Sequence, residues 1–465
     1  MSPFSSRAET AAERPQRSLE NAYATVAVPP HEAGFWRHWW AFVGPAILVS
    51  VGYMDPGNWG TDLAGGAQYH YGLLWVVGLA SLMAIVLQVI AARLGVVTGK
   101  DLAQCCHDWY PKWTRIPNWL LAEVAVGACD LAEVLGSAVA LNLLFHIPLL
   151  WAVLITGLDV LLLLAMQNFG MRTIEAVILL LVATIAVCYY IEIFVLPQTH
   201  PSFAALGKAL FIPSLGQVGM LYVAIGIIGA TVMPHNLYLH SALVQSRQLK
   251  RDDASMRRAI QFNTLDSTVA LTIAFFVNAA ILVLAAMVFF GRTSVAVPGG
   301  VIHFGPDSDW IRVAYLTLAP LLGTIGASTL FAVALLASGQ SSTVTGTLAG
   351  QVVMEGFMHW RIKPWLRRLI TRVLAILPAV FLIGLRGGSS VTDLLNLSQV
   401  VLALQLPFAM FPLLHFTSSR RVMGKWRNGK FLLAAGWASA VIITGMDIYG
   451  LPDLLRTAWV VVAGH

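Results

Sequence analysis

Two tetrapeptides carry the residue types that chemistry needs: Asp55-Pro56-Gly57-Asn58 and Met233-Pro234-His235-Asn236. Aligned on their prolines, they set Asp55 opposite Met233, Gly57 opposite His235 and Asn58 opposite Asn236. Each interrupts an otherwise apolar run. Proline removes a backbone donor and clashes with the preceding turn, so carbonyls just before the breaks, those of Gly52 and Ala230, are available to a ligand. A carboxylate (Asp55), an amide oxygen (Asn58), a thioether (Met233) and freed carbonyls are cation ligands. Mg²⁺ and Ca²⁺ prefer all-oxygen sites, whereas sulfur favours softer metals. The set points to Mn²⁺, Fe²⁺ and softer ions such as Cd²⁺. A second group consists of Asp130 and Glu133, three residues apart on one helical face, with Glu123 two turns earlier and Arg372 as a plausible partner. Three acids in one span are costly unless they face the bundle interior or a wet path, and His235 titrates near neutral pH in the ordinary case; a structural hydrogen bond is the plain alternative for His235, and a structural ion pair the preferred one for Glu123.

The elements that must position these residues are membrane helices. Hydrophobic residues make up 57 % of the chain and charged residues 11 %, against about a quarter charged in soluble domains; mean hydropathy is +0.73. Continuous apolar runs, rather than alternating ones, favour helices over a barrel. Eleven candidate spans fall at 41–68, 71–95, 118–144, 149–168, 173–196, 219–246, 265–290, 326–354, 373–386, 393–416 and 431–450. Ala314–Gly323 reads as an interfacial helix, and Leu454–Gly464 is too short to cross. With the N-terminus inside, 24 of the 29 Lys and Arg fall on the cytoplasmic side, leaving only Lys208, Arg292, Arg312, Arg386 and Arg456 outside. That bias sets an N-inside, C-outside orientation.

Both breaks lie mid-span, where a carboxylate costs about 2.5–3.5 kcal/mol on insertion scales and is functional by default. A kinking proline or a space-filling methionine would each be unremarked alone; Asp55 decides against that reading. The broken spans are the first and the sixth and cross in opposite senses, the pattern of a five-plus-five inverted repeat with one extra helix. The repeats cover about 41–196 and 219–416. Residues 1–40, polar until about Gly34, form a disordered cytoplasmic tail with no signal-peptide core. Residues 417–465 hold the eleventh helix and a short extracytoplasmic end.

At these residues the chain resembles the NRAMP family (natural-resistance-associated macrophage proteins), which includes bacterial proton-dependent manganese transporters. The Asp55–Asn58 and Met233–Asn236 motifs match, the latter continuing through Leu237-Tyr238-Leu239-His240-Ser241, and Ser338–Thr347 resembles a further stretch of the family. The likeness runs from about Gly44 to Thr417. It implies a leucine-transporter-like fold, with the metal held by Asp55, Asn58, Met233, the Ala230 carbonyl and, in some states, the Gly52 carbonyl. Gln399 matches a glutamine that approaches the metal. Gly52 is itself a small departure that leaves its carbonyl available. Asp55, Asp130, Glu133 and Arg372 match a proton route to the cytoplasm, and Met233 argues against the magnesium-transporting relatives. The implied protein imports metal with protons by alternating access in a bacterial plasma membrane, as a monomer with no cofactor and no nucleic-acid partner.

Other readings are weaker. In a sodium-coupled amino-acid transporter of the same architecture, Asp55 would repel the substrate carboxylate. A membrane metallohydrolase would need an HExxH motif, a nucleophile elbow or a phosphate loop. A metal sensor differs from a carrier only in flux. The remaining polar residues look structural: Asp159, Glu192, Asp266 and Asp447 near span ends, the basic run Arg247, Lys250, Arg251, Arg257 and Arg258 as a cytoplasmic loop, His240 off the His235 face, and Cys105, Cys106, Cys129 and Cys188 without a pairing pattern.

Overall fold

The structure is a computed structural model and describes residues 17–158, 171–195 and 201–463, apart from 21, 31, 218, 298–299, 306–307, 323–324, 361 and 387–389. The polar stretch 1–16, Asp159 with the rest of the span expected to 168, and Arg361 lie outside the described residues. The principal helices are α1 (Pro45–Ser50), α2 (Pro56–Tyr69), α3 (Leu74–Thr98), α4 (Leu102–Trp109), α5 (Arg115–Phe145), α6 (Met171–Tyr190), α7 (Met220–Thr231), α8 (Pro234–Leu243), α9 (Asp253–Phe289), α10 (Ile325–Met358), α11 (Pro364–Arg386), α12 (Ser390–Ser418) and α13 (Lys430–Ala463). Among the described residues, seven helical stretches are long and apolar enough to cross a bilayer. Pro45–Met54 falls short because the break cuts it off. Large apolar side chains such as Phe381, Val441 and Ile448 are well exposed, as lipid-facing surfaces are.

Pairing of helices distant in sequence builds the interior. α5 packs on α10 and α12, and α9 packs along α2 and α3. The broken helices α1–α2 and α7–α8 run through the middle, with α8 against α3, α10 and α12. Their residues 56–63 and 227–241 are almost completely buried.

The structure departs from several expectations. The fold is not purely helical: Ser294–Val297 and Gly300–His303 form an antiparallel pair after α9, where β-branched residues meet outside the helices. The tail is not wholly disordered. Val26 N–H donates to the Ser246 carbonyl at 2.9 Å, Gln248 N–H donates to the Val26 carbonyl at 2.9 Å, and Leu19 N–H reaches Glu355 Oε2 at 2.9 Å; Leu19 and Val26 are buried, so these two residues tie the tail to the bundle. Arg247 lies in the expected loop but does not face outward from it. It is buried, donating to Glu175 Oε1 at 2.9 Å and to the Ala41 and Val43 carbonyls at 3.0 and 2.7 Å, and so anchors the chain entering α1. Glu192, Asp266 and Asp447, read as structural residues near span ends, are buried, with Asp266 Oδ2 accepting the Ala46 N–H at 3.0 Å. The helix expected over 431–450 also runs on to Ala463.

Candidate functional site

Proline at the first helical position costs nothing in hydrogen bonds, so each break restarts a helix rather than ending one. Pro56 opens α2 and Pro234 opens α8. Asp55 is the N-cap of α2 with extended backbone (φ −70°, ψ 167°), and Met233 holds the same place before α8 (φ −89°, ψ 127°). The pairing read from the sequence is thus a structural equivalence: acid and thioether occupy matching caps.

The two breaks are joined by hydrogen bonds. Asp55 Oδ1 accepts the Asn58 N–H at 2.9 Å and Asn58 Nδ2 at 2.8 Å. The same Nδ2 donates to the Ala230 carbonyl at 3.0 Å. Two oxygens from separate helices therefore converge on one amide nitrogen. Asp55 Oδ2 is buried and has no hydrogen-bond partner among the described residues. Asn58 Oδ1 receives Thr231 Oγ1 at 3.2 Å and Asn278 Nδ2 at 3.3 Å. Gln399 lies against Gly57 of the first break: a Cβ on Gly57 would come within 2.0 Å of its Nε2, and its Oε1 has no partner among the described residues. A Cβ on Gly52 would come within 2.2 Å of Asn236 Nδ2. Glycine at 52 lets the two broken segments approach, and glycine at 57 lets Gln399 of α12 lie against the first break.

Met233 is fully buried and packs with Ala125, Cys129 and Leu402, between the break and α5. Cys129 Sγ donates to Glu133 Oε1 at 3.5 Å. Arg372 on α11 is 1 % exposed; it donates to the Asp130 carbonyl at 3.4 Å and to Thr343 Oγ1 at 3.1 Å, with Nη1 4.0 Å from Glu133 Oε2. Arg372 thus lies against the backbone of Asp130 and the carboxylate of Glu133, a buried cation beside a buried acid. His235 is buried with neither ring nitrogen hydrogen-bonded among the described residues, so the structural hydrogen bond considered for it is absent there. Glu123 is held by Arg367 Nη2 at 2.8 Å and by Trp119 Nε1 at 3.1 Å, an ion pair rather than an open acid. His240 bonds Gln88 through Nδ1 at 2.9 Å, away from His235.

The family described as Natural resistance-associated macrophage protein-like matches residues 46–453. The chain belongs to the Nramp family. It is 48 % identical over 447 residues to a "Divalent metal cation transporter MntH" of Nostoc, covering 95 % of this chain and 96 % of that one. It is 52 % identical over 439 residues to a protein of the same name from Xanthomonas campestris, covering 92 % and 94 %. A crystal structure of the Eremococcus coleocola manganese transporter superposes with a TM-score of 0.84 at 38 % identity, covering 96 % of each chain.

Sequence reasoning missed two residues of this Nramp chain. Asn278, on α9, donates to the Tyr53 carbonyl at 2.8 Å as well as to Asn58, so it bridges both sides of the first break. A single amide in the apolar span expected over 265–290 carries no signal beyond its polarity. Asp62 sits two turns beyond Asp55 on α2, 1 % exposed, with both carboxyl oxygens unpartnered among the described residues. It was legible as a second acid in the first span and was passed over.

Proposed function

We propose that this chain carries divalent transition-metal ions, Mn²⁺ or Fe²⁺ and softer ions such as Cd²⁺, into the cell with protons, by alternating access. The observation that carries the reading is the junction of the two breaks: Asp55 and the Ala230 carbonyl share one amide nitrogen while the second carboxylate oxygen stays buried and unpaired. The Asn58 NH₂ supplies the positive hydrogens that a cation would supply. Rotation of that amide presents Asn58 Oδ1 in its place, so Asp55, Asn58 and the Ala230 carbonyl become ligands, Met233 contributes sulfur, and the Gly52 carbonyl and Gln399 complete the shell as the helices move. The transporters named for the relatives support this substrate class.

Protons leave Asp55 past His235 to Asp130 and Glu133, where Arg372 balances their charge; the Glu123–Arg367 pair closes the cytoplasmic end. The membrane potential drives each inward charge with about 2.3 kcal/mol per 100 mV. The architecture consistent with this is eleven spans in two inverted repeats, about 41–196 and 219–416, with the N-terminus cytoplasmic, in a bacterial plasma membrane and functional as a monomer. Purified protein in liposomes with an internal pH dye tests it. Mn²⁺ should enter and acidify the lumen, and Mg²⁺ should do neither; Mg²⁺ entry at the Mn²⁺ rate would overturn the selectivity, and Mn²⁺ entry without acidification would overturn the coupling.

A further inference from the structure

We propose that His107, Asp108 and His359 form a second binding site for a divalent transition-metal ion, remote in sequence from the helix breaks and built at the junction of α4 with the end of α10. One ligand atom from each of the three lies within 4.8 Å of the others, close enough for one ion to draw them together. His107 and Asp108 lie in the last turn of α4, and His359 is the residue immediately after α10.

The two imidazoles are prepared differently. His107 Nδ1 is 2.6 Å from the Phe357 carbonyl. A carbonyl only accepts, so Nδ1 carries the hydrogen and Nε2 presents its lone pair, the arrangement that orients ligating histidines. His359 Nδ1 is buried without a hydrogen-bond partner among the described residues, an orphaned nitrogen that an ion would satisfy. Ring centroids of the two histidines are 3.9 Å apart. His359 has φ +56°, the left-handed conformation at a helix end that glycine usually takes; here a side chain is kept and brought against α4.

Asp108 pairs with Lys100 Nζ at 2.6 Å, and both are substantially exposed. Such a pair is weak and exchanges readily for a doubly charged ion. Two imidazoles and one carboxylate suit Zn²⁺, Co²⁺ and Ni²⁺ better than Mn²⁺, unlike the oxygen and thioether set at the breaks. An ion here would staple α4 to α10. The bland alternative is a tilted histidine pair that merely packs the two helices.

The proposal stands apart from the transport reading, and the test keeps them separate. Full-length Asp55→Asn protein is titrated with Zn²⁺ alone by calorimetry, alongside Asp55→Asn/His107→Gln and Asp55→Asn/His359→Asn, with gel-filtration profiles confirming fold. One Zn²⁺ should bind the parent, and each histidine change should weaken it at least tenfold. Co²⁺ added to protein with both histidines intact should give the visible absorption of an imidazole-bound ion, a readout that needs no folded variant. Equal Zn²⁺ binding with and without the histidines, or no Co²⁺ spectrum, overturns the site. Two ions on Asp55→Asn, one lost with either histidine, keeps this site and overturns Asp55 as a ligand instead.

Discussion

Replacing Asp55 with asparagine separates folding from function at the breaks. The carboxylate does two things: Oδ1 caps α2 by accepting from Asn58 N–H and Nδ2 at 2.9 and 2.8 Å, while Oδ2 stays buried and unpaired. Asparagine caps helices as well as aspartate does, so its Oδ1 keeps both bonds. Turning two charge-assisted bonds into neutral ones costs about 2–3 kcal/mol in all. Removing a buried charge returns several kcal/mol of desolvation. Stability should therefore hold or rise slightly. Binding should not. Losing a mere outer partner of a metal ligand weakens affinity about 10–100-fold, so losing the anionic ligand should cost at least about 100-fold, or about 2.7 kcal/mol. Uptake of labelled Mn²⁺ into proteoliposomes, measured below saturation beside a melting curve, decides it. A variant that melts like the native protein and takes up Mn²⁺ within a factor of three of it would refute the assignment of Asp55.

Met233→Ala removes the sulfur and opens a cavity worth about 2–5 kcal/mol; Ca²⁺ should then inhibit Mn²⁺ uptake at severalfold lower concentration, and unchanged inhibition would end the sulfur argument. Arg372→Gln leaves Glu133 without its buried cation, which should lower stability by about 3–5 kcal/mol and slow lumen acidification more than Mn²⁺ entry; normal acidification in a folded variant removes Arg372 from the route. Asp62→Asn neutralises an unpartnered buried acid and should raise the melting temperature by about 1–3 °C, so a clear drop would reveal a partner the acid needs. Asp101, at the N-cap of α4 outside the spans, is raised by burial from 3.8 to about 7. Its folded form binds the proton more tightly than the unfolded chain, so stability should fall as pH rises from about 4 to about 7, and Asp101→Asn should flatten melting temperature across that range.

Local stereochemistry was written in the chain. Proline without an N–H breaks and restarts a helix wherever it lies, so the caps at Asp55 and Met233 could be paired by aligning two prolines. The apolar runs followed from the demands of lipid on backbone groups. The meeting of Glu133 and Arg372 could be anticipated because buried charges are too costly apart. What the chain withheld was the partner of each buried polar group. Asn278 meets Asn58 across 220 positions, Arg247 meets Glu175 across 72, the His359 ring lies against that of His107, and Val26 forms a bridge with Arg247. Periodicity and motif spacing act over a few turns of one segment, whereas these contacts are set by which helices pack together. Sequence determined where the helices break and what they carry there; only the packed bundle decided which oxygens face each other across the gap.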